Sequence, residues 1–188
     1  MVLAGKTNKG IVSIINNLGG KAVGLSGKDA NLIIAEKAEG EVDLGFVGQV
    51  AHINPGILLD LLDHGYIPVI SSVAIGPKGE SFNVNADHIA GELASEVRAT
   101  KLMMMTDVTG IYGNFEDKST LISELSVADA RKMIADKRIG SGMIPKVEAC
   151  VIALEGGVER THIIDGTMPH SLLMEIFTDT GIGTMIVP

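Results

Sequence analysis

Tryptophan is absent from this 188-residue chain, and aromatic residues make up only 3% of it, with two Tyr and four Phe. A core so short of rings has to be filled by aliphatic side chains. The abundance of glycine (23) and methionine (9), beside Val, Ile and Leu, suits buried parallel strands joined by small-residue loops. A single cysteine, Cys150, excludes an internal disulfide and points to a reducing compartment. It sits in the apolar stretch 147–154, which reads as a helix, so its thiol reads as a small buried side chain. Positive charge is also scarce: 15 Lys and Arg against 23 Asp and Glu leave a formal charge of −8. That balance argues against nucleic acid as the main partner but leaves small anionic substrates open, because the local field of a site can oppose the net charge. No apolar run is long enough to span a bilayer, and residues 1–6 lack a signal-peptide pattern, so a cytoplasmic protein without membrane attachment is expected. At 46% hydrophobic and 20% charged, the composition is that of a compact globular protein.

Segments of helical periodicity alternate with short apolar runs along nearly the whole chain. Ile11, Ile14, Ile15 and Leu18 form a helical stripe that Gly19-Gly20 closes as a C-cap. Residues 21–25, 32–36 and 44–53 read as strands, and Pro55 opens a helix that runs through Asp63. Strands follow at 66–73 and 81–85, then a helix at 86–98. The strand at 101–106 carries Met103-Met104-Met105, a run that reads as core and not as a metal site. Ser126 heads a helix over 127–137, with Asp129 in the glutamate position of a capping box. Pro145 begins a helix that closes at Gly156-Gly157. A strand at 160–165, a helix at 170–177 and a strand at 184–187 complete the chain. The alternation predicts an α/β fold of three layers, with helices on both faces of an open, mainly parallel sheet, in a single domain over 1–188.

Three polar groupings stand out from this pattern. In an extended strand alternate side chains share one side, so Asn83, Asn85 and Asp87 converge where a strand gives way to a helix. The plain alternative is that the two amides satisfy loop backbone and that Asp87 is an N-terminal helix charge. Thr106-Asp107-Val108-Thr109-Gly110 ends another strand, either as an Asx turn or as a ligand contact, since open α/β sheets bind ligands outside the carboxyl ends of their strands. Gly140-Ser141-Gly142-Met143-Ile144-Pro145-Lys146 combines a flexible loop, an apolar pair and a cation at a helix start. A lysine in the first turn conflicts with the helix dipole unless an anion lies nearby, the alternative being a solvated surface side chain.

Other patterns lead nowhere. Gly5-Lys6-Thr7 has the tail of a P-loop without its first glycine, and Ser26-Gly27-Lys28-Asp29 lacks the same motif's spacing and reads as a hairpin turn. The five histidines, His52, His64, His88, His162 and His170, show no pairing with Cys or acidic residues that suggests zinc, and no other metal ligands are assigned. Neither a nucleophile elbow nor a dinucleotide glycine fingerprint is present.

Taken in order, Ala22-Val23-Gly24-Leu25-Ser26-Gly27-Lys28-Asp29, Gly45-Phe46-Val47-Gly48, Tyr66-Ile67-Pro68-Val69-Ile70, the Asn83 to Asp87 stretch, Thr106-Asp107-Val108-x-Gly110, Gly142-Met143-Ile144-Pro145-Lys146 and His162-Ile163-Ile164-Asp165-Gly166 resemble the amino acid kinase family, in its branch acting on N-acetyl-L-glutamate. The resemblance runs from Met1 to the end of the chain. It implies MgATP-dependent phosphorylation of the substrate's side-chain carboxylate, the second step of arginine biosynthesis. It assigns substrate contacts to Asn83 and Asn85, orientation of the catalytic lysines to Asp87, and the transferring phosphoryl group to Lys146. Nucleotide contacts fall on Thr106, Asp107, Ile139, Gly142 and Met143. The roles are chemically coherent: a carboxylate nucleophile is already ionised at neutral pH and needs no general base, whereas bringing an anion to a polyanion needs positioned cations and Mg²⁺.

His162-Ile163-Ile164-Asp165-Gly166 and Glu175-Ile176-Phe177-Thr178-Asp179-x-Gly181-x-Gly183-Thr184 further resemble the arginine-inhibited, hexameric members of the family. By that resemblance His162, Glu175 and Gly181 contact the inhibitor, Glu175 pairing with its guanidinium in bidentate fashion. The alternative is an ordinary surface helix and glycine turn. Homo-oligomers are expected, and because some relatives are bound by the PII signalling protein, PII is a candidate partner. The family also has an N-terminal section with a Lys-x-Gly-Gly phosphate loop, a glycine pair and an arginine for the α-carboxylate, none recognisable here. The expectation is therefore an N-terminally truncated chain holding the ATP half, with little activity alone and a sheet edge left open. Rival readings are a kinase of the same fold acting on carbamate, aspartate or a nucleotide, and a non-catalytic module that binds arginine or a nucleotide.

Overall fold

The computed structural model describes every residue except Glu41, Phe115, Asp179 and Thr180. Two compact units divide the chain, Met1–Ile89 and Ala90–Pro188. The α/β class and the parallel strand pairing expected from the sequence are present, distributed over a two-stranded sheet, a closed four-stranded ring and a four-stranded sheet. No helix among the described residues is long and apolar enough to cross a membrane.

In the first unit, a π-helical turn at Val2–Thr7 leads into α1 (Asn8–Asn17). Gly19, at φ 89°, caps that helix as the sequence predicts. The expected apolar stripe does not face a core: Ile14 is 62% exposed and Leu18 83%, while the buried member of the helix is Asn8. Periodicity tells which residues share a face, not what covers it. Asn8 ties the helix down instead, its Nδ2 donating to Leu25 O (3.2 Å) and Val69 O (2.8 Å). Those carbonyls belong to β1 (Ala22–Ser26) and β4 (Ile67–Ser71), which pair in parallel.

The ring is built from β2 (Ile33–Lys37), β3 (Val47–Ile53), β5 (Val73–Ile75) and β6 (Ser81–Val84). Ile33, Ala35, Ala74, Phe82 and Val84 are buried. The hairpin expected at Ser26-Gly27-Lys28-Asp29 is therefore wrong, because β1 and β2 lie in different sheets. Asp29 closes that turn by accepting from Ser26 N (2.6 Å), and Gly27 N donates across to Val73 O (2.7 Å). The single strand expected at 66–73 is likewise two, β4 and β5. Both are rich in apolar residues, and only Ser71-Ser72 between them marks where the chain changes sheet. The strand expected from 44 begins at Val47, leaving Leu44 and Phe46 exposed. Helix α2 (Gly56–Asp63) follows Pro55 as expected.

The division between the units falls within α3 (Ala86–Glu96). In the second unit β7 (Lys101–Thr106) and β9 (Arg160–Asp165) are parallel, β10 (Thr184–Val187) is antiparallel to β9, and β8 (Glu124–Ser126) is parallel to β10. The three-residue β8 was too short to leave a periodic signal. Of the methionine run, Met104 is in the core and Met105 is 53% exposed, so the strand's alternation splits the run between two faces. Ser126 caps α4 (Val127–Ala135) by accepting from Asp129 N at 3.0 Å. Helix α5 (Ile144–Glu155) buries Val147, Ala149, Cys150 and Leu154, which bears out the reading of Cys150 as a core thiol. Helix α6 (Ser171–Phe177) starts one residue later than expected, because His170 is left-handed at φ 62°.

Helix α3 meets α5 at Gly91, where an added Cβ would lie 2.6 Å from Ala149 O. A backbone oxygen cannot swing aside as a flexible side-chain tip can. Gly91→Ala is expected to cost about 2 kcal/mol and lower the melting temperature by about 5 °C, as overpacking does in a chain of this size. An unchanged thermal melt would show that the helices separate freely.

Candidate functional site

Strand β7 ends at Thr106, whose carbonyl accepts from Gly166 N at 2.8 Å beside the end of β9. Beyond this carboxyl end lies a cavity of about 360 Å³, within the range of small-molecule sites. One wall is the turn from Thr106 to Tyr112, in which Thr106 Oγ1 donates to Asp107 Oδ1 at 3.2 Å. The facing wall is the loop from Arg138 to Met143, continued by Lys146 in the first turn of α5. Arg138 Nη2 donates to Gly113 O at 3.1 Å and so links the loop to the turn.

Chemically the cavity is divided. Val108, Ile111, Ile139 and Met143 offer apolar surface for a flat ring, and Asp107 offers an acceptor for an amine or hydroxyl. The positive end of the α5 dipole, with Lys146 and Arg138, offers a place for phosphate. An anion placed in the cavity would face both Lys146 and the start of α5. Thr106, Asp107, Ile139, Gly142, Met143 and Lys146, singled out from the sequence, all line this one cavity. Arg138, Ile111 and Tyr112 were missed. A basic residue directly before the glycine-rich loop was the available signal for the first, and Tyr112 had none beyond its place two residues after Gly110.

The second grouping belongs to the first unit. Phe82 and Val84 are buried while Ser81, Asn83 and Asn85 are exposed, so the two amides share one side as the alternation requires. Asn85 is also the cap of α3, its Oδ1 accepting from Asp87 N (2.8 Å) and His88 N (3.1 Å). That commitment fixes the amide with its oxygen toward the helix, so what Asn85 offers a ligand is N–H. Asp87 stands in the first turn of α3, and Asn83 N donates to Phe46 O at 2.8 Å.

The third grouping lies within the second unit, apart from Asp179, which is outside the described residues. His162 and Glu175 are buried, with His162 Nδ1 2.7 Å from Glu175 Oε1. Glu175 Oε2 accepts from Ile182 N (2.6 Å) and Gly183 N (3.1 Å). Gly181, at φ 61°, fits against the same carboxylate, where a Cβ would come within 2.8 Å of Oε2. Burial alone pushes the Glu175 carboxyl up, but the Ile182 amide, His162 and the Gly183 amide together hold it below its ordinary value. His162 Nε2 is buried with no hydrogen-bond partner among the described residues. A carboxylate has about four acceptor sites. Three are taken here, so a guanidinium can reach one more on Oε1 and cannot pair with both oxygens unless the 182–183 turn lets go. No group of three or more His, Cys, Asp or Glu among the described residues is arranged to hold a metal ion.

Comparison with known proteins gives a consistent picture. The model of the amino acid kinase family matches residues 1–165. An acetylglutamate kinase of Moorella thermoacetica is 53% identical over 197 residues, covering 100% of this chain and 67% of that protein. One from Caldanaerobacter subterraneus subsp. tengcongensis is 54% identical over 186 residues, covering 99% of this chain and 62% of that protein. The chain thus spans roughly two thirds or less of these relatives. Among solved structures, N-acetylglutamate synthase from Neisseria gonorrhoeae, complexed with coenzyme A and L-arginine, superposes with a TM-score of 0.75 at 29% identity, covering 89% of this chain and 38% of that one.

Proposed function

The chain belongs to the amino acid kinase family, and from this premise we propose that a polypeptide carrying these residues is an acetylglutamate kinase. It transfers the γ-phosphoryl group of MgATP to the side-chain carboxylate of N-acetyl-L-glutamate, in the cytoplasm, as the second step of arginine biosynthesis. The observation that carries the reading is the gathering of Thr106, Asp107, Ile139, Gly142, Met143 and Lys146 around one cavity, in a chain 53% identical to an acetylglutamate kinase.

In the reaction a carboxylate oxygen of the substrate attacks the γ-phosphorus, and the bond from that phosphorus to the β–γ bridging oxygen breaks. ADP leaves with the electron pair. No proton is lost from the nucleophile, so no general base is needed. The nucleotide's ring lies against Ile139 and Met143, Asp107 and Thr106 take its polar edge, and Gly142 lets its phosphates approach the start of α5. Mg²⁺ arrives with the nucleotide and neutralises part of its charge. Lys146 holds the transferring group, where charge spreads over three oxygens. Asn83 and Asn85 hold the substrate through their amide N–H groups, and Asp87 orients the cationic groups instead of accepting a proton.

L-Arginine acts as the inhibitor at His162, Glu175 and Gly181, with a guanidinium N–H on the remaining acceptor site of Glu175 Oε1. The structural likeness to a synthase complexed with L-arginine supports this. Exposed Leu173, Ile176 and Phe177 on α6 support a homo-oligomer, since clustered apolar side chains seek cover. The PII signalling protein is retained as a partner on family resemblance alone.

A substrate panel tests the reading. ADP release by the polypeptide should depend on N-acetyl-L-glutamate and stay near background with L-aspartate, carbamate or uridylate. Equal or faster release with one of the other acceptors would assign the chain to a different branch of the family.

A further inference from the structure

Thr184 opens β10 with no exposed surface, and its hydroxyl is fully engaged. Oγ1 accepts from Ile111 N at 2.8 Å and donates to Ile122 O at 2.7 Å. Gly110 presses against the same hydroxyl: a Cβ there would lie 2.5 Å from Oγ1 and 3.0 Å from Thr184 N. Gly110, Ile111 and Tyr112 form part of the cavity wall described above. Beyond them the chain folds back, with Ile122 N donating to Ile111 O (2.8 Å) and Gly113 N to Thr120 O (2.8 Å). The Thr184 hydroxyl sits between the two legs of this loop and satisfies the buried Ile111 N–H and the part-buried Ile122 C=O.

On its other side Thr184 continues directly from the turn that Glu175 holds. Ile182 N and Gly183 N donate to Glu175 Oε2, and Glu175 Oε1 meets His162. Gly183 admits no side chain, because a Cβ would lie 2.2 Å from Ile163 O. Where β10 begins is thus set by the buried pair, and where the cavity wall runs is set by β10. All of these contacts lie within the second unit.

We infer that Thr184 is a positioning residue for the cavity, and that through it the His162–Glu175 pair controls the shape of the 110–112 wall. The pair and the cavity are then mechanically linked, so anything that shifts Glu175 also shifts the wall. The consequence for nucleotide affinity rests on the reading of the cavity as the nucleotide site; the placement of the wall does not.

Hydrogen exchange on the 188-residue chain, with MgATP binding measured in parallel, tests this. Thr184→Val keeps the volume and removes the hydroxyl; Thr184→Ser keeps the hydroxyl and removes a methyl. In the valine variant, amides of 110–113 should exchange about tenfold faster or more, while those of β7 and β9 stay protected. MgATP Kd should rise about five- to tenfold, the effect of a lost buried hydrogen bond. The serine variant should match the wild type in both. Glu175→Ala should speed exchange of the same 110–113 amides before it affects β7. If the valine variant does not fold, Gly110→Ala and Thr184→Ser decide: the first should open the segment and the second should not. Unchanged 110–113 exchange in the valine variant, serine behaving like valine, or loosening spread evenly over β7 and β9 would each overturn the inference. A wild-type chain that fails to bind MgATP would refute the nucleotide reading, and the exchange pattern would still decide the role of Thr184.

Discussion

Lys146→Ala, in a polypeptide that carries these residues and phosphorylates N-acetyl-L-glutamate, is expected to lower turnover about 10²- to 10³-fold, as loss of one preorganised transition-state donor does. Two anions must approach each other in this reaction, and the chain supplies few cations for the purpose. Lys146 lines the cavity in the first turn of α5, so its charge adds to the positive end of the helix dipole. Charge on the transferring group changes most on the way to the transition state, so the loss should fall on kcat more than on KM. Steady-state kinetics with varied acetylglutamate and MgATP measure this, and near-normal turnover would remove Lys146 from the mechanism.

Glu175→Ala should destabilise the folded chain by about 3 kcal/mol, the scale of leaving several buried donors without their carboxylate acceptor. The substitution leaves Ile182 N, Gly183 N and His162 Nδ1 without their acceptor in a largely buried site. The melting temperature should fall by about 10 °C, given the size of the chain. Acid should act on the same group. Because the folded-state carboxyl lies below its ordinary value of 4.5, its stabilisation is present above that pH and is lost as pH falls through the folded value. Glu175→Gln keeps an acceptor but has no titration. Denaturant unfolding at a series of pH values from neutral to below 4.5 should therefore show the wild type losing more stability than the Gln variant. Parallel losses in the two proteins would mean that Glu175 is not held ionised by its partners.

Much of the candidate site was legible because its signals are local. Asn83 and Asn85 follow the two-residue repeat of a strand, and the structure exposes both while burying Phe82 and Val84. Lys146 announced itself by standing at the wrong end of a helix. The Thr106-Asp107 turn and the glycine-rich loop line one cavity because each follows or precedes a regular element that could be read. What stayed hidden depends on partners distant in sequence. The α1 stripe has a helical period, yet Asn8 is the residue that anchors the helix, through carbonyls 17 and 61 positions away. The step from β4 to β5 is marked only by Ser71-Ser72, and two serines do not say that the next strand joins another sheet. Thr184 reaches Ile111 across 73 residues, and no local pattern marks a threonine for that task. Bidentate pairing of Glu175 with a guanidinium was expected, whereas three of its acceptor sites are occupied from within and one on Oε1 is left.

The most direct measurement is calorimetric titration of the 188-residue chain with MgATP, beside a Gly142→Phe variant. Gly142 lines the cavity and has open space where a Cβ would stand, so a side chain there meets no immediate clash, and the added ring is expected to obstruct the cavity. The wild type should show one saturable site with a Kd between about 1 µM and 1 mM, the range usual for enzyme substrates, and the variant should bind at least about tenfold more weakly, a difference of about 1.4 kcal/mol. No saturable binding at millimolar MgATP, or equal binding by the two proteins, would contradict the assignment of this cavity to the nucleotide.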